Sequence, residues 1–160
     1  MPEKRVAFVT GASRGIGRAA CIALAEAGYD IAMCARTTTE GQTADGRPLP
    51  GSLDSTASEV MSRGRQALKV PMDLLDPQSV SNAIETTLNE WGHVDLLLNN
   101  GIYTGPGNMD FFLDVREETI ETIFRANFLS QIQLIQRVLP DMLKNGQGRI
   151  INMVSNAGIS

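Results

Sequence analysis

Hydrophobic positions follow two alternating rhythms along the chain. Residues 5–10, RVAFVT, make a short β-branched and aromatic run that breaks at Gly11, which predicts a buried strand. Beyond the glycines, Ile16, Ala20, Leu24 and Ala27 recur at helical spacing as far as Gly28, which predicts an amphipathic helix. A second strand is expected over 30–35. Strand, glycine turn, helix and strand in that order predict a βαβ unit, with parallel strands and a right-handed crossover.

Residues 37–51 carry threonines, glycines and two prolines, Pro48 and Pro50, without periodicity, and read as a long loop. A helix is expected over 52–64, a strand over 66–71, a helix marked by Val80, Ile84, Leu88 and Trp91, and a strand over 94–99. The segment 117–144 reads as one long helix with an apolar stripe of Ile120, Ile123, Phe124, Phe128, Ile132, Ile135 and Leu139. Gly146 and Gly148 stop it before a strand over 149–154. Five strands alternating with helices predict an α/β fold: one Rossmann-like domain over 1–160, with a doubly wound parallel sheet. With only a short tail after the fifth strand, the expectation is a cofactor-binding portion lacking its last strands, or a face covered by another subunit.

Composition narrows the partners. The chain has 160 residues, 42% hydrophobic and 20% charged, so a packed core is expected rather than disorder. Its 14 Lys and Arg against 18 Asp and Glu give a net charge of −4, which argues against nucleic acid and anionic membrane as partners. No apolar run is long enough for a membrane span, and the default expectation is a cytoplasmic protein. Cys21 and Cys34 are expected as buried thiols, and a lone His93 offers no metal site.

The candidate chemistry begins at Thr10-Gly11-Ala12-Ser13-Arg14-Gly15-Ile16-Gly17, between the first strand and the first helix. Glycines there permit a tight turn and let a helix N-terminus approach an anion, so Gly11, Ser13, Arg14, Gly15, Ile16 and Gly17 are candidate phosphate-cradle residues. The alternative is a turn that only connects two elements. A carboxylate at the end of the second strand would take the ribose 2′-hydroxyl of NAD. Here the strand ends Cys34-Ala35-Arg36, and the fork of Arg36, with Arg14 beside it, suits the 2′-phosphate of NADP(H) instead. Solvated surface arginines are the competing reading.

Together these residues resemble the short-chain dehydrogenases/reductases. TGASRGIG at 10–17 is similar to that family's cofactor turn, and Asp73-Leu74 to its adenine-side pair. Asn99-Asn100-Gly101 resembles its Asn-Asn-Ala-Gly motif, Asn127 its helical Asn, and Ser155 in NMVSNAG its catalytic Ser. The resemblance implies an NADP(H)-dependent oxidoreductase that moves a hydride between nicotinamide and a small-molecule carbonyl or alcohol carbon. It also implies a homo-oligomer at full length. Under it, Asp73, Leu74, Asn99, Asn100 and Gly101 join the cofactor-binding residues, and Ser155 and Asn127 are the catalytic candidates. By residue type alone, Asp73 fits equally as a turn residue or helix cap, and Asn127 as a satisfied core Asn.

Two departures stand out. The family's Tyr-x-x-x-Lys acid/base pair, normally beyond the Ser, is absent: Tyr29 and Tyr103 are followed four residues later by Met33 and Gly107. The Asn-Asn-Gly turn is also one residue short, which leaves open whether Asn99 or Asn100 faces the cofactor. Three readings follow for the chain: part of an NADP(H)-dependent oxidoreductase, a non-catalytic NADP(H)-binding module, or an interaction fragment. No turnover is expected from the 160 residues alone.

Overall fold

A computed structural model describes residues 4–41, 49–111 and 113–155. All five expected strands form: β1 (Arg5–Thr10), β2 (Tyr29–Ala35), β3 (Ala67–Pro71), β4 (Leu96–Asn99) and β5 (Arg149–Asn152). They make one sheet in the order β3-β2-β1-β4-β5, with every neighbouring pair parallel. The chain first builds outward from β1 to β3, then returns to build from β4 to β5 on the other side. That reversal opens a crevice beyond the carboxyl ends of β1 and β4, the place where ligands settle in sheets of this kind.

The period of two along each strand divides the core. Val6 and Phe8 of β1, Ala32 and Cys34 of β2 and Leu97 of β4 pack on one face, against α3 (Pro77–Trp91) and α5 (Ser130–Asn145). Ala7, Val9, Ile31, Met33, Leu96 and Leu98 pack on the other, against α1 (Gly15–Glu26) and α2 (Leu53–Met61). Burial on both faces explains why β1 and β2 read as near-continuous apolar runs. The two cysteines belong to opposite faces and are free thiols.

Several boundaries move for identifiable reasons. Ser52 starts no helical turn itself but caps α2, its hydroxyl accepting from the Ser55 N–H while the Ser55 hydroxyl accepts from the Ser52 N–H. Asp76, not Asp73, caps α3, with Pro77 at the first helical position. The N-cap alternative for Asp73 is thereby removed. The predicted loop 37–51 is described at its two ends, 37–41 and 49–51, while 42–48, including Pro48, lie outside the described residues.

The long helix expected over 117–144 is two helices, α4 (Glu117–Phe124) and α5, joined without a break by a π-helical turn over Arg125–Leu129. Its apolar stripe is also two rows. Ala126, Leu134, Val138 and Met142 are buried, whereas Ile120, Phe124, Phe128, Ile132 and Leu139 of the expected stripe face outward. Helical spacing shows that residues share a side of a helix but not which side meets the sheet, and here both sides are apolar. Among the described residues β5 pairs only with β4, and Ile151 within it and Met153 and Val154 just beyond it are exposed.

Candidate functional site

The turn after β1 is held from three directions. The Ala12 N–H donates to the Cys34 carbonyl at 3.1 Å, and the buried Thr56 hydroxyl of α2 donates to the Ala12 carbonyl at 2.9 Å. On the third side a Cβ at Gly17 would lie 2.1 Å from the Gly11 carbonyl oxygen, so this turn of α1 presses on the turn below it with no room for a side chain. Arg14 occupies the N-cap of α1 without a side-chain cap, leaving the first N–H groups of the helix for another acceptor.

β4 is stitched to the same turn. The Thr10 hydroxyl accepts from the N–H groups of Asn100 at 2.9 Å and Gly101 at 2.8 Å, while the Asn100 amide donates to the Thr10 carbonyl at 3.1 Å. Asn99 faces elsewhere. Fully buried, it donates from Nδ2 to Asn152 Oδ1 at 2.9 Å across the β4–β5 pair, and its own Oδ1 has no partner among the described residues. Asn100 lines the crevice, and Asn99, placed among the cofactor-side candidates from sequence, does not.

The crevice is a cleft of about 300 Å³. Gly11, Ser13, Arg14 and Ile16 line it from the turn, Ala35, Arg36 and Thr37 from the end of β2, and Asp73 and Leu74 from the turn after β3. Asn100 and Gly101 line it after β4, continuing into Ile102, Tyr103 and Thr104. Most of the cofactor-side candidates therefore come together. Gly15, Gly17 and Asn99 are not in the lining; Gly17 acts through the close approach beneath it.

Two guanidinium groups stand at the β2 side. Arg36 is exposed and forms no ion pair among the described residues. Arg14 is half-buried, its Nη2 donating to Thr37 Oγ1 at 3.2 Å and to the Gly51 carbonyl at 2.9 Å, and its buried Nε has no partner among the described residues. Asp73 makes an Asx turn, its Oδ1 accepting from the Leu75 N–H at 2.9 Å, so its carboxylate is the acidic group of the described lining. Cys34 also borders the cleft, but burial, with Cys21 nearby, pushes its thiol well above the ordinary range. A desolvated thiol with a raised pKa is a poor nucleophile.

The catalytic candidates are placed differently. Asn127 lies in the π-helical turn, where its Oδ1 accepts from the Tyr103 N–H at 2.8 Å and ties the helix to the loop after β4. A π turn opens the helix at one point and often marks a functional residue. Ser155 is exposed beyond the end of β5. Neither borders the cleft, although Tyr103, which Asn127 holds, does. Sequence reasoning missed Thr10, Thr37, Gly51 and Tyr103, which organise the site through hydroxyl and backbone groups. Thr10 had a signal, a hydroxyl at the last strand position before the glycine turn; the others had none.

The profile of the short chain dehydrogenase family matches residues 5–160. Dehydrogenase/reductase SDR family member 7 of Mus musculus is 31% identical over 97% of this chain and 43% of its own length. The solved L-sorbose reductase of Gluconobacter frateurii, complexed with NADPH and L-sorbose, is 26% identical with a TM-score of 0.76, over 93% of this chain and 51% of that one. Carveol dehydrogenase from Mycobacterium avium, in complex with NAD, shares the fold with a TM-score of 0.80 at 24% identity, over 98% of this chain and 56% of that one. The chain spans about half the length of the curated relatives it matches. With the glycine turn, the interlocked Thr10 and Asn100 and the reversed strand order all in place, the chain belongs to the short-chain dehydrogenase family.

Proposed function

We propose that this chain is the cofactor-binding part of an NADP(H)-dependent oxidoreductase acting on a small-molecule carbonyl or alcohol. The observation that carries the cofactor choice is the pair of arginines lining the β2 side of the cleft, Arg14 from the turn after β1 and Arg36 from the end of β2, while the one carboxylate in the described lining, Asp73, comes from the turn after β3. A 2′-phosphate suits such planar forks. The NADPH in L-sorbose reductase agrees with this reading, while the NAD in carveol dehydrogenase shows that the fold alone does not decide it.

The cleft suits a dinucleotide on its own evidence: a buried Arg14 Nε without a partner among the described residues, N–H groups at the start of α1 without a side-chain cap, and a turn whose close approach excludes a side chain at Gly17. A bound nicotinamide would supply the hydride acceptor or donor. The turn from Gly11 to Gly17 would hold the pyrophosphate, Arg14 and Arg36 the 2′-phosphate, and Asp73 and Leu74 would border the adenine. Asn100 and Gly101 would stand nearest the nicotinamide ribose. Ser155 would donate a hydrogen bond to the substrate oxygen, where alkoxide charge develops as hydride is delivered. Asn127 would support the proton path while fixing Tyr103. A Ser hydroxyl is too weak an acid to supply the proton at neutral pH, so the proton donor is assigned to a Tyr–Lys pair outside these residues.

For the 160 residues themselves, saturable dinucleotide binding without turnover is expected. Fluorescence titration with NADPH and NADH should show a preference for NADPH. Arg36→Asp should reduce or reverse it, since one charge-assisted contact is lost and a repulsive carboxylate gained. Selectivity unchanged by that substitution would remove Arg36 from the account, and tighter NADH binding by the unaltered chain would overturn the NADP(H) reading.

A further inference from the structure

We infer that the stem of the loop between β2 and α2 is a clamp for Arg14: Thr37, Gly51 and Glu40 are positioning residues that hold its guanidinium in place for the adenosine 2′-phosphate. This rests on the NADP(H) reading above and deepens it.

The stem is zipped by backbone bonds, the Leu53 N–H donating to the Thr37 carbonyl and the Asp54 N–H to the Thr38 carbonyl, each at 3.0 Å. Gly51 is thereby brought down onto the glycine turn. Its φ of +99° lies in the region that favours glycine, and a Cβ there would stand 2.6 Å from the Ser13 carbonyl oxygen and 2.9 Å from Arg14 Cβ. On one side Gly51 donates its N–H to the Glu40 carboxylate at 2.6 Å, and on the other its carbonyl accepts from Arg14 Nη2 at 2.9 Å. Thr37 Oγ1 receives the same nitrogen at 3.2 Å.

The chemistry of these acceptors matters more than their number. Arg63, elsewhere on the surface, is paired with the carboxylates of Glu26 and Glu59, and its charge is neutralised there. Arg14 is held instead by a hydroxyl and a carbonyl, both uncharged. They fix the direction of the guanidinium while leaving its positive charge for an incoming anion. Both bonds use Nη2, so Nη1 makes no bond among the described residues and Nε is buried without one. A long side chain held in one rotamer loses less freedom when it binds, so a clamp of this kind raises affinity only for a ligand that Arg14 touches. The Glu40 carboxylate accepts from the Gly51 N–H and makes no ion pair with Arg14 among the described residues, so it seats the loop without pairing with that charge.

Isothermal titration of the chain with 2′,5′-ADP and with 5′-AMP separates the 2′-phosphate from the rest of the nucleotide. Thr37→Val keeps the shape of a buried β-branched residue and removes the hydroxyl; Glu40→Ala alters an exposed residue and frees Gly51. Each should weaken 2′,5′-ADP roughly three- to tenfold, the equivalent of one hydrogen bond, and leave 5′-AMP unchanged. In an Arg14→Met background Thr37→Val should have no further effect on 2′,5′-ADP, because its action runs through the guanidinium. The inference is overturned if the two probes weaken equally, if neither changes, or if Thr37→Val costs as much without Arg14 as with it. Failure of the NADP(H) reading shows earlier and separately, as an unaltered chain that binds 2′,5′-ADP no better than 5′-AMP. Should Thr37→Val fold poorly, Glu40→Ala carries the same test at a solvent-facing position.

Discussion

At the scale of single residues, this site is built from what is missing as much as from what is present. Gly17 contributes no side chain, and that is its function: an added Cβ would lie 2.1 Å from the Gly11 carbonyl oxygen and 2.7 Å from the Asn100 amide nitrogen. The Asn100 amide could rotate away, but the Gly11 backbone could not. Gly17→Ala should therefore push α1 away from the turn, cost about 1–3 kcal/mol of stability, and abolish dinucleotide binding. Thermal melts and NADPH titration of the variant check both parts, and full-strength binding by Gly17→Ala would refute the close-packed account. The adjacent pair Asn99 and Asn100 shows the limit of reading residues alone. Asn99 is the last residue of β4 and Asn100 the first beyond it, and the sequence is symmetric between them. What breaks the symmetry is the Thr10 hydroxyl, which captures the N–H groups of Asn100 and Gly101 from a strand 90 residues earlier in the chain.

At the scale of elements, α2 is the part that couples the sheet to the cleft. Asp54 in its first turn accepts from Lys69 Nζ of β3 at 2.6 Å and from the Thr39 hydroxyl at 3.1 Å, so one carboxylate joins helix, strand and loop stem. The Lys69 bond first, then that of Thr39, holds the Asp54 carboxyl below its ordinary value of 3.8. A carboxyl whose folded value is lowered stabilises the fold above the unfolded value and loses that contribution as pH falls through the folded one. The gap in melting temperature between the unaltered chain and Asp54→Asn should thus be full at neutral pH and close progressively below 3.8. A gap that stays constant down to about pH 3 would mean that the carboxylate is not the linking charge. The elements themselves differ in how far sequence reveals them. β1 and β2 were legible because both faces are buried and most of their residues are apolar; α2 was legible as a helix, although it starts at Leu53 with Ser52 as its cap. The π-helical turn was not, since Arg125–Leu129 departs from the helical pattern in no residue type. It is visible only with the Asn127 bond to the Tyr103 N–H, a contact between elements.

At the scale of the whole molecule, the outer row of the α4–α5 helix pair is the feature that the fold leaves unexplained on its own. Ile120, Phe124, Phe128, Ile132, Leu139 and Leu143 are exposed along one side, and the rings of Phe124 and Phe128 stack with centroids 4.9 Å apart. Contiguous apolar rows of this kind mark association surfaces, and a net charge of −4 offers little repulsion between two copies. A two-fold pairing would set each row against its own equivalent, so every apolar residue lost from water on one copy is matched on the other. We expect the chain to self-associate through this face, and Phe124→Glu with Phe128→Glu to leave a monomer that still binds dinucleotide, because neither ring borders the cleft. Sedimentation across a range of concentrations reads the first effect and NADPH titration the second. The exposed edge at β5, with Ile151, Met153 and Val154, is the rival surface. If the double substitution leaves the mass unchanged while Val154→Lys dissociates the assembly, the β5 edge carries the contact and the helix row does not. A chain that is monomeric at every concentration would refute self-association by either face.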